Sequence, residues 1–255
     1  MVLHSTSPAV GLWSSLAHPA TLRLLAAAAP DWLVLDAQHG TWGDGELVAV
    51  LPLLDTPVPT WVRVADGRHA SIGRALDAGA DGVVVPMVDS PAQAAAAVRA
   101  CRYPPHGARS WGPAAALVGR PVPSPAAADA RVRCAVMVET AEALAAVDAI
   151  AATPGLDMVF VGPFDLALAL GRTVDDLLAD EDAGAPLPAV VAACRAAGVR
   201  AGAFGGDPDR AARLVALGFT DVVAATDAGL LSGAAEQTVA RWAGHVPGGA
   251  PHRGY

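Results

Sequence analysis

The sequence contains no lysine, because all 17 basic residues among its 255 are arginine. A side-chain amine that forms a Schiff base with a carbonyl substrate is therefore excluded. The lysine of a phosphate-binding P-loop is excluded as well. If this chain makes or breaks a carbon–carbon bond beside a ketone, it must use a metal ion or another electron sink.

Cysteine and positive charge are also scarce. The three cysteines, at positions 101, 134 and 194, lie too far apart for a disulfide framework or a zinc ribbon. A net charge of −8 without a basic tract disfavours nucleic acid as a partner. Polar residues, Pro or Gly interrupt every apolar run before it could span a bilayer, and residues 1–6 lack a signal-peptide pattern. We therefore expect a soluble, cytoplasmic protein that binds neither nucleic acid nor membrane.

Short apolar strands alternate with helical segments rich in Ala and Leu along most of the chain. The predicted strands cover residues 10–15, 32–37, 61–64, 82–88, 133–139, 158–163, 200–205 and 221–226. The predicted helices between them include residues 19–28, 45–54, 71–78, 91–102, 140–151, 188–197 and 208–217. This alternation predicts parallel strands joined by right-handed crossovers. Eight such units predict an α/β fold, a (β/α)8 TIM barrel. The alternative is a doubly wound open sheet, but no G-x-G-x-x-G turn follows the first strand.

Two segments exceed what a barrel needs. Residues 103–130 form a Pro-, Gly- and Ala-rich connection that is long enough to have a function of its own. Residues 228–245 form an additional C-terminal helix, which could pack on its own barrel or on a neighbouring subunit. We expect one barrel domain over residues 1–246 and a flexible C-terminal tail over residues 247–255.

Two predicted strands end at carboxylates. Glu139 is the last residue of the fifth strand. The sixth strand ends with Gly162 and Pro163, and Asp165 lies two residues after this end. The carboxyl ends of barrel strands share one rim, where the active site of this fold lies. Two carboxylates brought together there could bind one hard divalent cation. Each carboxylate taken alone could instead cap the helix that follows it.

Further polar residues end neighbouring strands. Asp36, Gln38 and His39 follow the second strand, and Arg63 lies within the apolar third strand. A buried arginine needs an anion, which could be a substrate carboxylate or, in a purely structural alternative, Asp36. His39 alone could equally be an ordinary loop histidine.

The combination of motifs resembles the HpcH/HpaI-type class II (metal-dependent) pyruvate aldolases, such as the 4-hydroxy-2-oxoheptanedioate aldolases. The matching motifs are Gly11-Leu12-Trp13, the run from Asp31 to His39, Val62-Arg63-Val64, Leu76-Asp77-Ala78-Gly79-Ala80, Val85-Pro86-Met87-Val88, Arg102-Tyr103-Pro104-Pro105, Val138-Glu139-Thr140 and Gly162-Pro163-Phe164-Asp165-Leu166. They cover nearly the whole predicted barrel in order. The resemblance implies a carbon–carbon lyase that reversibly cleaves 4-hydroxy-2-oxo acids into pyruvate, or an analogue such as hydroxypyruvate, and an aldehyde.

The resemblance also implies a role for each matching residue. Glu139 and Asp165 would hold Mg²⁺, Mn²⁺ or Co²⁺, whose remaining ligands would be the 2-oxo acid and water. Arg63 would stabilise the developing enolate. His39, oriented by Asp36, would move the proton of the aldol hydroxyl.

The substrate would be bound by further residues at the same rim. The resemblance assigns this role to Trp13, Met137 and the backbone of Gly162, Pro163 and Phe164, with Arg63. Gln38, Asp77 and Arg109 would be supporting residues. Asp77 is expected to orient Arg63 or an interface, and Arg109 to anchor its loop or to contact ligand.

The sequence departs from the family pattern at several of these positions. Gln38 stands where a glutamate is usual, Met137 where glutamine is frequent, and Phe164 where a smaller residue is usual. Residues 109–112, Arg-Ser-Trp-Gly, are expected to add bulk to a loop over the mouth of the barrel. These changes bear on substrate identity more than on the class of reaction.

Two other functions remain open at this point. One is an acyl-CoA lyase or synthase of the citrate lyase β type, which would need a basic patch for the CoA phosphates. The other is a catalytically degraded barrel with a binding role, suggested by Gln38 and Met137. The resemblance further implies a homo-oligomer, either a trimer or a hexamer.

Overall fold

The computed structural model describes residues 7–243, and eight parallel strands in them form a closed barrel. The strands are β1 Ala9–Ser14, β2 Trp32–Asp36, β3 Thr60–Arg63, β4 Gly82–Val85, β5 Arg133–Val138, β6 Met158–Val161, β7 Arg200–Phe204 and β8 Asp221–Thr226. Each strand pairs with the next, and β8 closes on β1. The predicted (β/α)8 barrel is confirmed.

Helices connect the strands on the outside of the barrel. They are α1 Pro19–Ala27, α2 Asp44–Val50, α3 His69–Ala78, α4 Pro91–Cys101, α5 Pro125–Arg131, α6 Ala141–Ala145, α7 Val147–Ala151, α8 Pro163–Ala169, α9 Val174–Ala179, α10 Pro186–Ala197, α11 Pro208–Ala216 and α12 Asp227–Ala243. The predicted stops at Gly79 and Gly198 are observed, since both glycines have left-handed φ values of 110° and 72°. The helix predicted over residues 140–151 is interrupted at Ala146 and forms two short helices.

The inside of the barrel is filled mainly by large side chains. Trp32 and Trp61 lie edge to face in the lumen, with ring centroids 5.6 Å apart. A Cβ at Gly11 would approach the Trp32 ring to 2.6 Å, and one at Gly82 would approach Trp61 to 2.7 Å. The glycines of β1 and β4 therefore make room for the tryptophans of β2 and β3. A second core of Leu, Val, Ile and Ala side chains lies between strands and helices.

The connection after α4 packs on the flank of the barrel. It contains a 3₁₀ turn, Ala114–Val118, and α5, two elements that were not predicted from the sequence. Arg109 pairs with Asp77 of α3 at 3.0 Å, and His69 at the other end of α3 bonds to the carbonyl of Ala108 at 2.7 Å. The prediction that residues 109–112 lie over the mouth of their own barrel is therefore wrong.

The last helix, α12, is largely exposed. Only its first residue, Asp227, is buried, while Leu231, Val239 and Trp242 are about two-thirds exposed or more. None of the helices in residues 7–243 is both long and apolar enough to cross a membrane. The predicted end of the barrel domain at residue 246 and the predicted tail over residues 247–255 lie outside the described residues.

Candidate active site

A cavity of about 150 Å³ opens at the carboxyl ends of the strands, where the fold places active sites. Its lining residues are Trp13, Ser15, Asp36, Arg63, Met137, Phe160, Gly162, Phe164, Asp165, Phe204 and Thr226. Of two larger hollows, the one of about 350 Å³ lies beside Asp77 and Arg109 on the flank, and the one of about 310 Å³ lies beside Gln38 and Met87, in the loops after β2 and β4. We place the chemistry in the smaller cavity because it alone brings an arginine together with aspartates from different strand ends.

Asp36 and Arg63 form a buried ion pair at one side of the cavity. The parallel register of β2 and β3 sets these two residues side by side. Arg63 Nε donates to Asp36 Oδ1 at 2.9 Å, and its Nη2 donates to Oδ2 at 2.5 Å. Trp13 Nε1 donates to the same carboxylate at 3.2 Å, and the guanidinium carbon lies 5.0 Å from the centroid of a Trp13 ring. Three strands thus hold the arginine in place.

The environment of Asp36 favours its charged form. Burial alone would raise its pKa, but the hydrogen bonds and charge of Arg63, with further bonds from the His39 backbone and Trp13, bring the pKa below the ordinary aspartate value. Asp36 is therefore a carboxylate anion whose main partner is the side chain of Arg63. The structural alternative raised for Arg63, an ion pair with Asp36, is present, and Arg63 nevertheless lines the cavity.

Glu139 and Asp165 lie across the cavity from this ion pair. The register of β5 and β6 pairs Val138 with Val161, so Glu139 and Gly162 are the next residues in line. A Cβ at Gly162 would lie 2.7 Å from Glu139 Oε2, so a side chain there would displace the Glu139 carboxylate. Glu139 is 2% exposed and accepts one hydrogen bond in the structure, from the backbone N–H of Met87 at 2.7 Å.

The environment of Glu139 disfavours its charged form. Burial is the largest cause of its raised pKa, and the negative charge of Asp165 raises the pKa further. The Met87 N–H and the more distant Arg63 compensate in part. Glu139 is therefore a buried carboxyl group without a cation of its own, close to a second carboxylate.

This donor set fits a divalent cation. Two neighbouring carboxylates are hard oxygen ligands of the kind that Mg²⁺ and Mn²⁺ accept. Within residues 7–243 no group of three or more His, Cys, Asp or Glu side chains could hold a metal. An ion between Glu139 and Asp165 would therefore take its other ligands from substrate and water.

His39 and Gln38 lie in the loop after β2, and both donate a backbone N–H to Asp36. Asp36 accepts a hydrogen bond at 3.0 Å from the backbone N–H of His39, while the histidine residue is exposed. The expectation that Asp36 orients the His39 side chain is thus met only through the backbone. Gln38 also donates its backbone N–H to Asp36, and its side-chain oxygen is buried without a hydrogen-bond partner.

The predicted supporting residues Asp77 and Arg109 lie away from the mouth. Arg109 is buried, contacts Asp77 and lies over the Tyr103 ring at 4.6 Å. Of the two alternatives left open for Arg109, a loop anchor or a ligand contact, the structure shows the anchor: Arg109 ties the connection after α4 to Asp77 of α3. Asp77 does not contact Arg63, so the expectation that it orients this arginine is wrong.

Several residues of the site carry no distinctive sequence signal. Phe160 and Phe204 are apolar strand residues that face the cavity, and Ser15 and Thr226 complete its wall. Met87 has a left-handed φ of 55°, which is rare without glycine and turns its N–H toward Glu139. A glycine would have signalled such a turn in the sequence, but a methionine does not.

The comparisons with known proteins agree with this geometry. The family model described as HpcH/HpaI aldolase/citrate lyase matches residues 9–234. The chain belongs to this family. Membership confirms the predicted resemblance and the prediction of an enzyme of the lyase class, and the HpcH/HpaI barrel brings Glu139, Asp165, Arg63 and Asp36 to one rim.

Individual members of the HpcH/HpaI family are similar over most of their length. A hydroxypyruvate/pyruvate aldolase of Pseudomonas aeruginosa is 38% identical, over 98% of this chain and 92% of that protein. A hydroxypyruvate/pyruvate aldolase of Paraburkholderia phytofirmans is 35% identical, over 88% of this chain and 89% of that protein. The crystal structure of a family member from Burkholderia cenocepacia has a TM-score of 0.85 at 33% identity, covering 93% of this chain and 95% of that one.

Proposed function

We propose that the protein is a divalent-metal-dependent aldolase that cleaves and forms 4-hydroxy-2-oxo acids. Its donor would be pyruvate or an analogue such as hydroxypyruvate, and its second product an aldehyde. The observation that carries the proposal is the uncompensated Glu139–Asp165 pair opposite Arg63 on one rim. The named relatives, which are hydroxypyruvate/pyruvate aldolases, support the same donor.

In this proposal Glu139 and Asp165 hold Mg²⁺, Mn²⁺ or Co²⁺. When bound, the ion would supply a Lewis acid for the 2-oxo acid. Gly162 lets the backbone of β6 approach Glu139 closely, and Met87 holds one oxygen of this carboxylate. Met87 bonds to Glu139 Oε1, so Oε2 has no hydrogen bond among the described residues.

The chain's own residues would handle charge and protons. Cleavage removes the proton from the 4-hydroxyl, breaks the bond between C3 and C4, releases the aldehyde and leaves the electron pair in an enolate. Arg63, held by Asp36 and Trp13, would stabilise the negative oxygen of this enolate. His39 would accept the hydroxyl proton from its exposed position beside Asp36. A proton from water at C3 then completes pyruvate.

The remaining predicted substrate-binding residues surround the place where the donor would lie. Met137 and Phe164 line the cavity, and the donor carboxylate would lie against the backbone of Gly162, Pro163 and Phe164. Since Met137 is buried and apolar, it would shape the floor of the site without a hydrogen bond. We propose these roles on the basis of position in the cavity.

The experiment that tests this function follows the methyl protons of pyruvate by NMR in D₂O. We expect exchange in the presence of Mn²⁺ or Mg²⁺ and its loss on addition of a chelator. Such exchange requires enolate formation and needs no knowledge of the aldehyde. A protein loaded with metal that shows no exchange would contradict the proposal and would favour the thioester or binding alternatives.

The acyl-CoA alternative receives less support from the charges at the mouth. Arg63 is the basic residue in the lining of the cavity, and Asp36 already pairs with it. The phosphates of a CoA thioester would need several cations. The volume of about 150 Å³ is also small beside the roughly 300 Å³ or more that drug-sized ligands occupy.

We further propose that the protein is a cytoplasmic homo-oligomer, either a trimer or a hexamer. The apolar and largely exposed residues of α12 support a contact with another copy, since a helix this exposed gains little from its own barrel. The three cysteines are free and buried, as is usual in reducing compartments. Light scattering on the purified protein would measure the subunit number.

A further inference from the structure

The lining of the mouth cavity contains both charged and aromatic side chains. Arg63 lies on one side and Asp165 on the other, with Glu139 close to Asp165. If the proposed function is correct, the charged 2-oxo acid lies between Arg63 and the Glu139–Asp165 pair, because its carboxylate and keto oxygen need these partners. The aldehyde must then lie against the aromatic part of the lining.

Four aromatic rings form a wall of the cavity. Ring contacts run without a break from Phe160 to Trp13, from Trp13 to Phe204 and from Phe204 to Phe164, with centroid distances of 5.9, 5.2 and 6.1 Å. Phe160 and Trp13 are buried, whereas Phe164 is 42% exposed and lies at the edge of the cavity. Phe164 is therefore the member of this wall that borders the way in from solvent.

Phe164 is held from two sides. The Phe204 ring packs against it edge to face, and the guanidinium carbon of Arg210 lies 5.5 Å from the centroid of its ring. Arg210 is fixed in turn by Asp207, which accepts from its Nη1 at 2.9 Å. Pro163 precedes Phe164 in the first turn of α8 and restrains the backbone. These contacts keep the ring at the mouth.

We propose that Phe164, held by Phe204 and Arg210, limits the length of the aldehyde that the enzyme accepts. The cavity of about 150 Å³ must hold both the 2-oxo acid and the aldehyde. With the donor in place, little of this volume is left for the aldehyde, and a chain that extends along the aromatic wall toward solvent meets the Phe164 ring. This inference rests on the proposed function and adds a size limit to it.

The test compares acetaldehyde with pentanal as acceptors for pyruvate in the presence of Mn²⁺. The ratio of their kcat/KM values measures selectivity and cancels any general loss of activity. We expect Phe164→Ala to shift this ratio toward pentanal by about 10-fold or more, and Phe164→Leu by less, since even one methylene in an apolar pocket discriminates by roughly 10- to 200-fold. Arg210→Ala should shift the ratio in the same direction, because it frees the ring.

Leu168→Ala is the matched control. Leu168 lies on the same helix, is 78% exposed and does not line the cavity, so its removal should leave the ratio within about twofold. An unchanged ratio in both Phe164 variants would overturn the inference. Pyruvate exchange by the unaltered protein separates the two proposals: exchange with unchanged selectivity contradicts the size limit alone, whereas no exchange contradicts both.

Discussion

Asp36 and Glu139 are two buried carboxylates on the same rim of the barrel, and their surroundings act on them in opposite directions. Both are 2% exposed and both follow or end a buried parallel strand. Asp36 has Arg63 beside it and a lowered pKa, whereas Glu139 has Asp165 nearby and a raised pKa. Burial raises the pKa of both groups, so the difference lies in the hydrogen bonds and the charge of their neighbours.

The difference indicates that the two carboxylates have different roles in the site. Asp36 forms an ion pair with Arg63 and so holds in place the one arginine that lines the cavity. Glu139 has no cation among its hydrogen-bond partners, and a buried charge of this kind is costly. A divalent ion would remove that cost. Substitutions on the two sides should therefore have different consequences.

The largest effect on pyruvate exchange is expected from a substitution in the Glu139–Asp165 pair. Asp165→Asn should slow metal-dependent pyruvate exchange by about 1,000-fold, because it removes a ligand worth several kcal/mol of charge stabilisation. Exchange rates measured by NMR at high Mn²⁺ would check this. Asp175→Asn, in the first turn of α9 and paired with Arg213 on the surface, is the control and should exchange at the normal rate. Normal exchange in Asp165→Asn would remove Asp165 from the metal site.

Arg63→Ala addresses the other side of the cavity. We expect kcat to fall by about 100- to 1,000-fold, since Arg63 would act on charge that develops in the transition state. The affinity for Mn²⁺ should change by less than about threefold, because Arg63 is not a metal ligand. Kinetics and a metal titration on the same preparation would separate these effects. A parallel loss of kcat and metal affinity would contradict the enolate role.

Asp36→Asn should make stability less dependent on pH. The folded-state pKa of Asp36 is lowered, so its ion pair contributes stability above the ordinary aspartate pKa of about 3.9, and this contribution is lost as pH falls through the folded value. We expect the variant to lose about 3 kcal/mol of unfolding free energy near pH 7. The difference should shrink below about pH 4.

Denaturant unfolding at several pH values would measure this difference. Asp66→Asn provides the control, because Asp66 pairs with Arg68 on the surface and should contribute less than about 1 kcal/mol. A difference for Asp36→Asn that persists unchanged at low pH would show that the loss does not come from the ionised pair.

Arg109→Ala should have the smallest effect on chemistry. Its side chain is buried on the flank, where it pairs with Asp77 and covers Tyr103. We expect a loss of about 2 kcal/mol in unfolding free energy, with pyruvate exchange per folded chain unchanged. Thermal unfolding and NMR exchange would show both. A slower exchange in the folded variant would mean that this anchor also supports the mouth.

The barrel and the strand-end residues could be predicted from the sequence, because strand ends are local features. Apolar runs that stop at Asp36, Glu139 or near Asp165 indicate which residues reach the rim. All eight strands lie within three residues of their predicted ends. The resemblance then selected the family to which the chain belongs.

Most partners of these residues could not be predicted, because they depend on distances across the folded barrel. The sequence offered the Asp36–Arg63 pair only as one of two alternatives, and it did not show that Asp36 binds the backbone of His39 or that Asp77 binds Arg109. Phe204 resembles any buried strand residue until the closed sheet turns it toward the cavity. Tertiary contacts decide such pairings, and local patterns do not contain them.

The central claim is that Glu139 and Asp165 together bind a divalent metal ion, whereas Asp36 is already paired with the positively charged side chain of Arg63. A Mn²⁺ titration followed by electron paramagnetic resonance, which detects the free ion, tests it most directly. We predict one Mn²⁺ bound per chain in the unaltered protein and in Glu142→Gln, an exposed residue of α6, and at least about 100-fold weaker binding in Glu139→Gln. Equal binding by Glu139→Gln and the unaltered protein would contradict the account.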